Sequence, residues 1–238
     1  MARRSVKLTP LEFAAVLLIL CVLAGVLLPA LSRSREASFR ASCQNNLKQL
    51  GVVMKMFAAE HNGHFPPLSP IPDNWTMDMA AVYPEYLSDL AVLVCPSSPF
   101  AHTDAFQQPE CVSSLFYVYT GYGIFCDEQA AAFYAAYADR REDLLHAPSL
   151  QLAVPVWPDS DRIHHPGQTG MPVMWDRIPL AEHEFSHEPN GANVLHMDGH
   201  VQFVPYSVYN TSNYFPITRL SAETFGAVLP RLPAHCPG

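Results

Sequence analysis

Residues 13–31 read FAAVLLILCVLAGVLLPAL, a run of nineteen residues without a charged side chain. An α-helix rises about 1.5 Å per residue, so this run is nearly long enough for the roughly 30 Å hydrocarbon core of a bilayer. A secretory signal normally has a shorter apolar region, about 7–15 residues, followed by a small-residue cleavage site. Here the helical pattern continues beyond Pro29 into SRSREASFR. The run therefore predicts a membrane anchor that is retained rather than a signal that is removed.

Charge is distributed unevenly around this run. Basic side chains flank it on both sides, at Arg3, Arg4, Lys7, Arg33, Arg35 and Arg40. The net charge is +4 over residues 1–40 and −12 over residues 41–238. The basic amino end predicts an amino terminus in the cytoplasm and a head outside it, a single-pass topology in the cytoplasmic (inner) membrane. Because an acidic head repels phosphates, we expect no nucleic acid partner.

Two residues of the anchor segment need a physical explanation. Glu12 begins the apolar run, where a carboxylate is costly within a membrane but is favoured near a helix amino terminus by the helix dipole. A second interpretation makes Glu12 a pairing group for a neighbouring subunit. Pro29 removes a backbone donor and crowds the preceding turn, so we expect a kink or a loosened helix there.

The helical pattern continues over residues 33–60. Apolar residues recur at three- and four-residue steps and predict one buried stripe: Phe39, Cys43, Leu47, Leu50, Met54 and Phe57. His61-Asn62-Gly63 should end the helix, with Gly63 as a left-handed cap, and Pro66-Pro67 prevents its resumption. The stripe is expected to pack on a sheet.

The remaining sequence predicts a mixed head. Residues 192–195 and 200–204 form strands around a tight Met197-Asp198-Gly199 turn, and 128–146 form a helix. Further strands are expected at 90–94, 115–119, 152–156 and 172–175. A dense group of aromatic residues between Phe116 and Tyr137 is expected in the core.

Lys7-Leu8-Thr9-Pro10-Leu11-Glu12, followed by the apolar run, resembles the leader junction of type IV prepilins and pseudopilins, usually Gly-Phe-Thr-Leu-x-Glu. The resemblance implies cleavage by the membrane-bound prepilin peptidase between Lys7 and Leu8, with methylation of the new amino terminus. Glu12 would then be the fifth mature residue and would set the register between subunits, and Pro29 matches a helix-breaking proline frequent in pilins. Lys7 stands at the glycine position and Pro10 at the leucine position.

Three later segments resemble prepilin-like proteins that carry an H-x9-D-G signature. CQNNLKQLG at 43–51 and VCPSS at 94–98 are the first two. The third is GANVLHMDGHV at 191–201, which contributes Asn193, Asp198, Gly199 and His200. His187 would be the signature histidine, although ten residues rather than nine separate it from Asp198.

Two metal hypotheses arise from the same region. Asp198 and Asn193 carry oxygen donors of the kind that suits Ca²⁺, and the resemblance implies such an ion, because pseudopilins often stabilise carboxy-terminal loops in this way. His183-Glu184-Phe185-Ser186-His187 matches the letters of a zinc protease helix, but Pro189-Asn190-Gly191 should end a helix there. Apart from this possible Ca²⁺, the sequence predicts no cofactor.

Cysteines leave their pairing open. Cys21 lies in the apolar run, and the other five, an odd number, leave at least one unpaired in an exported domain.

The sequence and the resemblance together predict an α+β, pilin-like lollipop in which a long transmembrane and stem helix packs on an antiparallel sheet. Its parts are a basic leader (1–7), the helix (8–60) and an extracytoplasmic head (61–238). The expected function is that of a structural subunit, a minor pseudopilin of a type II secretion or type IV pilus-like assembly, with itself or other pilin-like subunits as partners. A membrane-tethered protein that never polymerises is the first alternative, and a zinc-dependent hydrolase using His183, Glu184 and His187 is the second. No nucleophile elbow, phosphate loop or dinucleotide fingerprint is found in the sequence, so we do not expect this protein to be an enzyme.

Overall fold

The computed structural model describes residues 9–98, 100–101, 106, 108–145, 170–181, 184–188, 190–206, 215–227, 233 and 236, without the side chains of 140–145. The leader residues Lys7 and Leu8, the expected strand at 152–156 and His183 lie outside these ranges. The chain divides into two compact units, residues 1–38 and 39–238, each of which is described by itself.

Helix α1, Pro10–Glu60, is 51 residues long and confirms the predicted long amino-terminal helix. Its first backbone hydrogen bond runs from the Phe13 amide to the Thr9 carbonyl, 3.0 Å away. Pro10 therefore occupies the first helical position, where its missing N–H would have had no partner. The helix is unbroken at Pro29.

The stem half of α1, residues 39–60, carries the predicted apolar stripe. Its buried residues are Cys43, Leu47, Leu50, Gly51, Val53, Met54, Phe57 and Ala58, and Phe39 is half-buried. Asn62 and Gly63 then adopt positive φ angles of 55° and 84°. The Gly63 amide donates to the Ala58 carbonyl at 2.8 Å, which confirms the glycine cap.

Four antiparallel strands form one sheet in the order β1-β2-β3-β4: β1 Tyr117–Tyr119, β2 Pro172–Asp176, β3 Gly191–His196 and β4 Val201–Pro205. The predicted hairpin is confirmed. Its turn is closed by the His196 amide on the His200 carbonyl (2.9 Å) and by the Gly199 amide on the His196 carbonyl (2.8 Å). Gly199 has a φ of 99°, which explains the glycine at that position.

Shorter elements complete the head. They are helix α2 (Met79–Val82), 3-10 turns at Leu90–Leu93 and Pro109–Cys111, helix α3 (Asp127–Leu145), helix α4 (Arg219–Ser221) and a π turn at Ala222–Gly226. Helix α3 and strand β2 confirm the helix predicted at 128–146 and the strand predicted at 172–175.

One predicted strand is wrong and another is shorter than expected. Residues 90–93 form a 3-10 turn because the Asp89 carboxylate accepts a hydrogen bond from the Ala91 amide at 2.9 Å. Leu90 and Leu93, three apart, are both buried, and that spacing fits a 3-10 turn rather than the two-residue period of a strand. The strand predicted at 115–119 begins only at Tyr117.

The two faces of the sheet pack against different elements. Asn193 and Leu195, two apart on β3, both lie against α1, where a side chain on Gly51 would approach Leu195 Cδ1 to 3.1 Å. Trp175 instead contacts Phe225 at a ring separation of 6.1 Å, and Phe225 also meets Phe133 of α3. The aromatic group predicted between Phe116 and Tyr137 also packs in the core, where Phe116, Tyr119 and Phe133 are buried.

Replacement of a stripe residue tests this packing. Leu47 is fully buried, so Leu47→Ala should lower the free energy of unfolding by about 2–5 kcal/mol through lost burial and a residual cavity. Val52 lies on the same helix and is 56% exposed, so Val52→Ala should change it by about 0.5 kcal/mol or less. Urea unfolding of the full chain in detergent, followed by tryptophan fluorescence, measures both. Equal effects would mean that the stripe does not pack on the sheet.

Candidate functional site

The first functional element is the apolar half of α1. Its side chains from Pro10 to Arg35 are all exposed, and an 18-residue window reaches a mean hydropathy of 2.9 with none of it buried. Among the described residues, this helix is the one whose length and composition would allow it to cross a membrane. So large an exposed apolar surface is unfavourable in water and favours a lipid or protein environment.

Glu12 closes a capping box at the start of this helix. Its Oε2 accepts hydrogen bonds from the Thr9 amide (2.8 Å) and the Thr9 hydroxyl (2.9 Å), and the Glu12 amide lies 3.4 Å from Thr9 Oγ1. This reciprocal pairing satisfies donors that a helix start leaves unpaired. The sequence-based explanations of Glu12, the helix dipole and pairing with a neighbouring subunit, missed the capping box, although the Thr-x-x-Glu spacing already indicates it.

The second element is a buried polar cluster in which the three separated sequence motifs meet. Asn193 donates to Asp176 Oδ2 from both its backbone amide (2.7 Å) and its side-chain amide (2.8 Å). Its side-chain oxygen accepts a hydrogen bond from Gln44 Nε2 at 3.0 Å. Asn193 is fully buried and Asp176 is 1% exposed, so these bonds replace the water that both groups lose on folding.

Other residues of the first motif reach the same region. Cys43 forms a disulfide with Cys95 of the VCPSS motif, with their α-carbons 5.4 Å apart. The Asn46 side-chain amide donates to the Val94 carbonyl at 3.0 Å. Near the end of α1, Lys55 donates to the Asp198 carbonyl in the hairpin turn. The polar residues of the stem helix thus attach it to the other two motifs.

His187, predicted from the sequence to be the signature histidine, lies inside this cluster rather than at the surface. Its Nε2 is 3.2 Å from Asp176 Oδ2 and 3.6 Å from Cys95 Sγ, and the residue is 1% exposed. Asp176, which lies outside the three motifs, joins these residues: its Oδ2 accepts two hydrogen bonds from Asn193 and lies within ion-pair distance of His187 Nε2. Tyr117 pairs with Asp176 across the sheet. Burial, and next the nearby Asp176 charge, raise the pKa of Tyr117, so its hydroxyl stays protonated.

Asp198, Gly199 and His200 form the hairpin turn. Asp198 Oδ1 accepts from the His200 amide at 2.9 Å and lies 2.7 Å from His200 Nδ1. The hydrogen bond from the His200 backbone amide is the largest cause of the lowered pKa of Asp198. Asn193 and Asp198, the two calcium candidates, are thus held by different partners in the structure. Calcium binding by this pair stays a prediction.

Glu184 and His187 do not lie on a protease-like helix. The described residues 184–188 contain no α-helix, and His187 instead forms an isolated bridge with Gly191. The other half of the proposed zinc motif, His183, is outside the described ranges. Cysteine pairing is Cys43–Cys95 and Cys111–Cys236, with Cys126 and Cys21 unpaired, as the odd count requires.

Comparison with known families bears on the first of these motifs. Residues 32–70 match a family model described as "Protein of unknown function (DUF1559)". That family is typical of prepilin- and pseudopilin-like proteins with an H-x9-D-G signature. Neither a curated protein nor a solved structure matches the chain.

The DUF1559 match includes the residues of α1 that form the polar contacts and the disulfide with the rest of the head. Cys43, Gln44, Asn46 and Lys55 all fall within residues 32–70, as does the cap at Gly63. The matched segment therefore includes the part of α1 that docks in the head and the end of the helix. The match fits a pilin-like envelope protein loosely.

Removal of the Asn193 side chain tests the cluster. Asn193→Ala deletes the bond to Gln44 and one of the two bonds to Asp176, and leaves a buried carboxylate short of a donor. The free energy of unfolding should fall by about 1–3 kcal/mol or more. Asn45→Ala, an exposed position next to Gln44, is the matched control and should change it little. Chemical denaturation measures the free energy of unfolding of both variants. An Asn193→Ala protein as stable as the wild type would contradict the assigned bonds.

The hairpin should also make stability depend on pH. Burial, followed by the charge of His200, lowers the pKa of His196 to about 4. In the unfolded chain the pKa is near 6.5, so the unfolded state takes up the proton first as pH falls. The contribution of neutral His196 to the free energy of unfolding is therefore complete above pH 6.5 and is lost as the pH falls from 6.5 to about 4. Because solvent screens a half-buried ring, its size is on the order of 1–2 kcal/mol.

His196→Gln should therefore remove part of the loss of stability between pH 6.5 and 4.5, whereas Asn45→Ala, which replaces an exposed side chain that does not titrate, should keep the wild-type pH profile. Thermal denaturation of the two variants and the wild type across this range provides the measurement. Identical pH profiles for all three would rule out a depressed His196 pKa.

Proposed function

We propose that this protein is a pilin-like structural subunit of the cell envelope, most specifically a minor pseudopilin of a type II secretion or type IV pilus-like assembly. The main observation in support of this proposal is the 51-residue helix α1, which is exposed and apolar at its start and docked in an α+β head at its end. The DUF1559 match on the docking segment and the acidic head agree with this role.

In this proposal, the apolar half of α1 holds the subunit in the cytoplasmic membrane and packs against the same helix of neighbouring subunits. Helices that leave lipid for a protein bundle exchange one apolar environment for another, so association depends on packing and on a few polar contacts. Glu12 would supply such a contact, to the amino terminus of an adjacent subunit. The head would present the acidic surface to its partners, outside the cytoplasm.

Glu12 has two separable roles, and substitutions can distinguish them. Glu12→Gln keeps an oxygen that can accept from Thr9 but removes the charge that a neighbouring ammonium group needs. Thr9→Val removes the capping hydroxyl but keeps the carboxylate. If Glu12 pairs subunits, Glu12→Gln should abolish filaments or detergent-resistant oligomers, and Thr9→Val should leave most of them intact.

Electron microscopy and cross-linking of the full chain in membranes provide the readouts, with Glu36→Gln on the same helix as the control. The reverse pattern, with Thr9→Val disruptive and Glu12→Gln harmless, would limit Glu12 to helix capping. Equal assembly in all variants would contradict the pairing role altogether.

A second candidate is a membrane-tethered protein that does not polymerise. The observation that favours it is that the Glu12 carboxylate already has two donors from its own chain. Lys7 at the glycine position of the leader also favours an unprocessed amino terminus. Mass spectrometry of the mature protein separates the two: a methylated start at Leu8 supports the pseudopilin, and a retained leader supports the tethered protein.

A further inference from the structure

Four side chains with metal-binding atoms meet beside the docked half of α1. They are Cys43 on α1, Cys95 after the first 3-10 turn, His187 before β3 and Asp176 at the end of β2. All four residues are 1% exposed or less. One ligand atom from each of Cys43, Cys95 and His187 lies within 4.8 Å of the other two. Among the described residues this is the one group of its kind, and the second disulfide, Cys111–Cys236, belongs to none.

One distance in the group matches the edge of a tetrahedral metal site. With Zn–S near 2.3 Å and Zn–N near 2.0–2.1 Å, neighbouring S and N ligands lie about 3.5 Å apart. The observed separation between Cys95 Sγ and His187 Nε2 is 3.6 Å, and the Asp176 carboxylate lies beside the same nitrogen, with its Oδ2 atom 3.2 Å away. His187 Nε2 thus faces a sulfur and a carboxylate oxygen at the same time.

Asp176 supplies an independent sign that a cation belongs here. Its Oδ2 receives both hydrogen bonds from Asn193, but its Oδ1 is buried without a hydrogen-bond partner among the described residues. A buried carboxylate oxygen left without a donor is costly, and such groups are normally paired or coordinate a metal. The Asn193 bonds also fix the carboxylate, as outer partners of metal ligands commonly do.

We propose that the dithiol form of this cluster binds one Zn²⁺ through Cys43, Cys95, His187 and Asp176. Disulfide and metal are alternative states, because the same two sulfur atoms either bond to each other or bind the ion. Two thiolates and an imidazole select zinc or a similar thiophilic ion over calcium. The site thereby assigns a role to three motifs at once and is independent of whether the protein forms filaments.

The chemistry balances with a dithiol as the reductant. Reduction adds two electrons and two protons to the Cys43–Cys95 disulfide, and the external dithiol becomes a disulfide. Zinc binding then releases the two thiol protons to solvent. In the opposite direction, an external disulfide removes two electrons from the thiolates, reforms the Cys43–Cys95 bond and expels Zn²⁺.

Metal titration of the full chain in detergent tests the proposal. Dithiol-reduced protein, freed of reductant under anaerobic conditions, is titrated with Co²⁺ and then with Zn²⁺. We expect one Co²⁺ per chain, with thiolate-to-cobalt charge-transfer absorption that Zn²⁺ abolishes. Zn²⁺ should also raise the Tm of the reduced protein but not of the oxidised protein, since only the reduced protein has free thiolates at this cluster.

Variants locate the site. Cys43→Ser/Cys95→Ser should lose the charge-transfer band, whereas Cys111→Ser/Cys236→Ser should keep it with one ion per chain. His187→Gln and Asp176→Asn keep both thiols, and each should weaken Zn²⁺ affinity at least about tenfold and shift the cobalt spectrum. Circular dichroism of each variant, oxidised and reduced, monitors folding.

Two results would overturn the proposal. One is a reduced wild-type chain that binds no Co²⁺ and gains no Tm from Zn²⁺, whether or not it remains folded. The other is metal binding that survives Cys43→Ser/Cys95→Ser and is lost in Cys111→Ser/Cys236→Ser. In either case the cluster is a structural disulfide beside a histidine–aspartate pair.

Discussion

The head is organised around one buried carboxylate. Asp176 is almost completely removed from water, and an ionised side chain in that position is stable only if donors or a positive group replace its hydration. Asn193 supplies two donors and His187 lies within ion-pair distance. Because Asn193 also binds Gln44, the requirement to satisfy Asp176 extends across the sheet to α1. A polar constraint in the core therefore fixes where the stem helix docks.

Apolar packing supplies the rest of that docking. The buried stripe of α1 removes apolar surface from water, and Gly51 lets the helix approach Leu195 closely. Around this contact, the disulfide between Cys43 and Cys95 and the lysine bond to the hairpin turn attach the same helix at two further places. Polar bonds specify the position of the helix, and burial of the apolar stripe adds favourable free energy to its docking.

The two halves of helix α1 are suited to different environments. Its first half is apolar on all sides, which is what lipid or neighbouring helices require, and its second half is apolar only along a stripe. The capping box at Thr9 and Glu12 and the glycine cap at Gly63 satisfy backbone groups near the ends of the helix. These local devices are consistent with a helix whose two halves are stabilised by different surroundings.

The sequence by itself determined the long helix, its stripe and its cap, the hairpin at Asp198-Gly199, and the helix near 127–145, because each depends on periodicity or on turn chemistry within a few residues. It did not distinguish a strand from a 3-10 turn at 90–93, since a short apolar run fits both. Only the tertiary structure decided the disulfide partners, the burial of His187, and the bonds that join Asp176, Asn193 and Gln44. Those residues are as far as 149 positions apart, and no local pattern encodes which of them meet once the chain has folded.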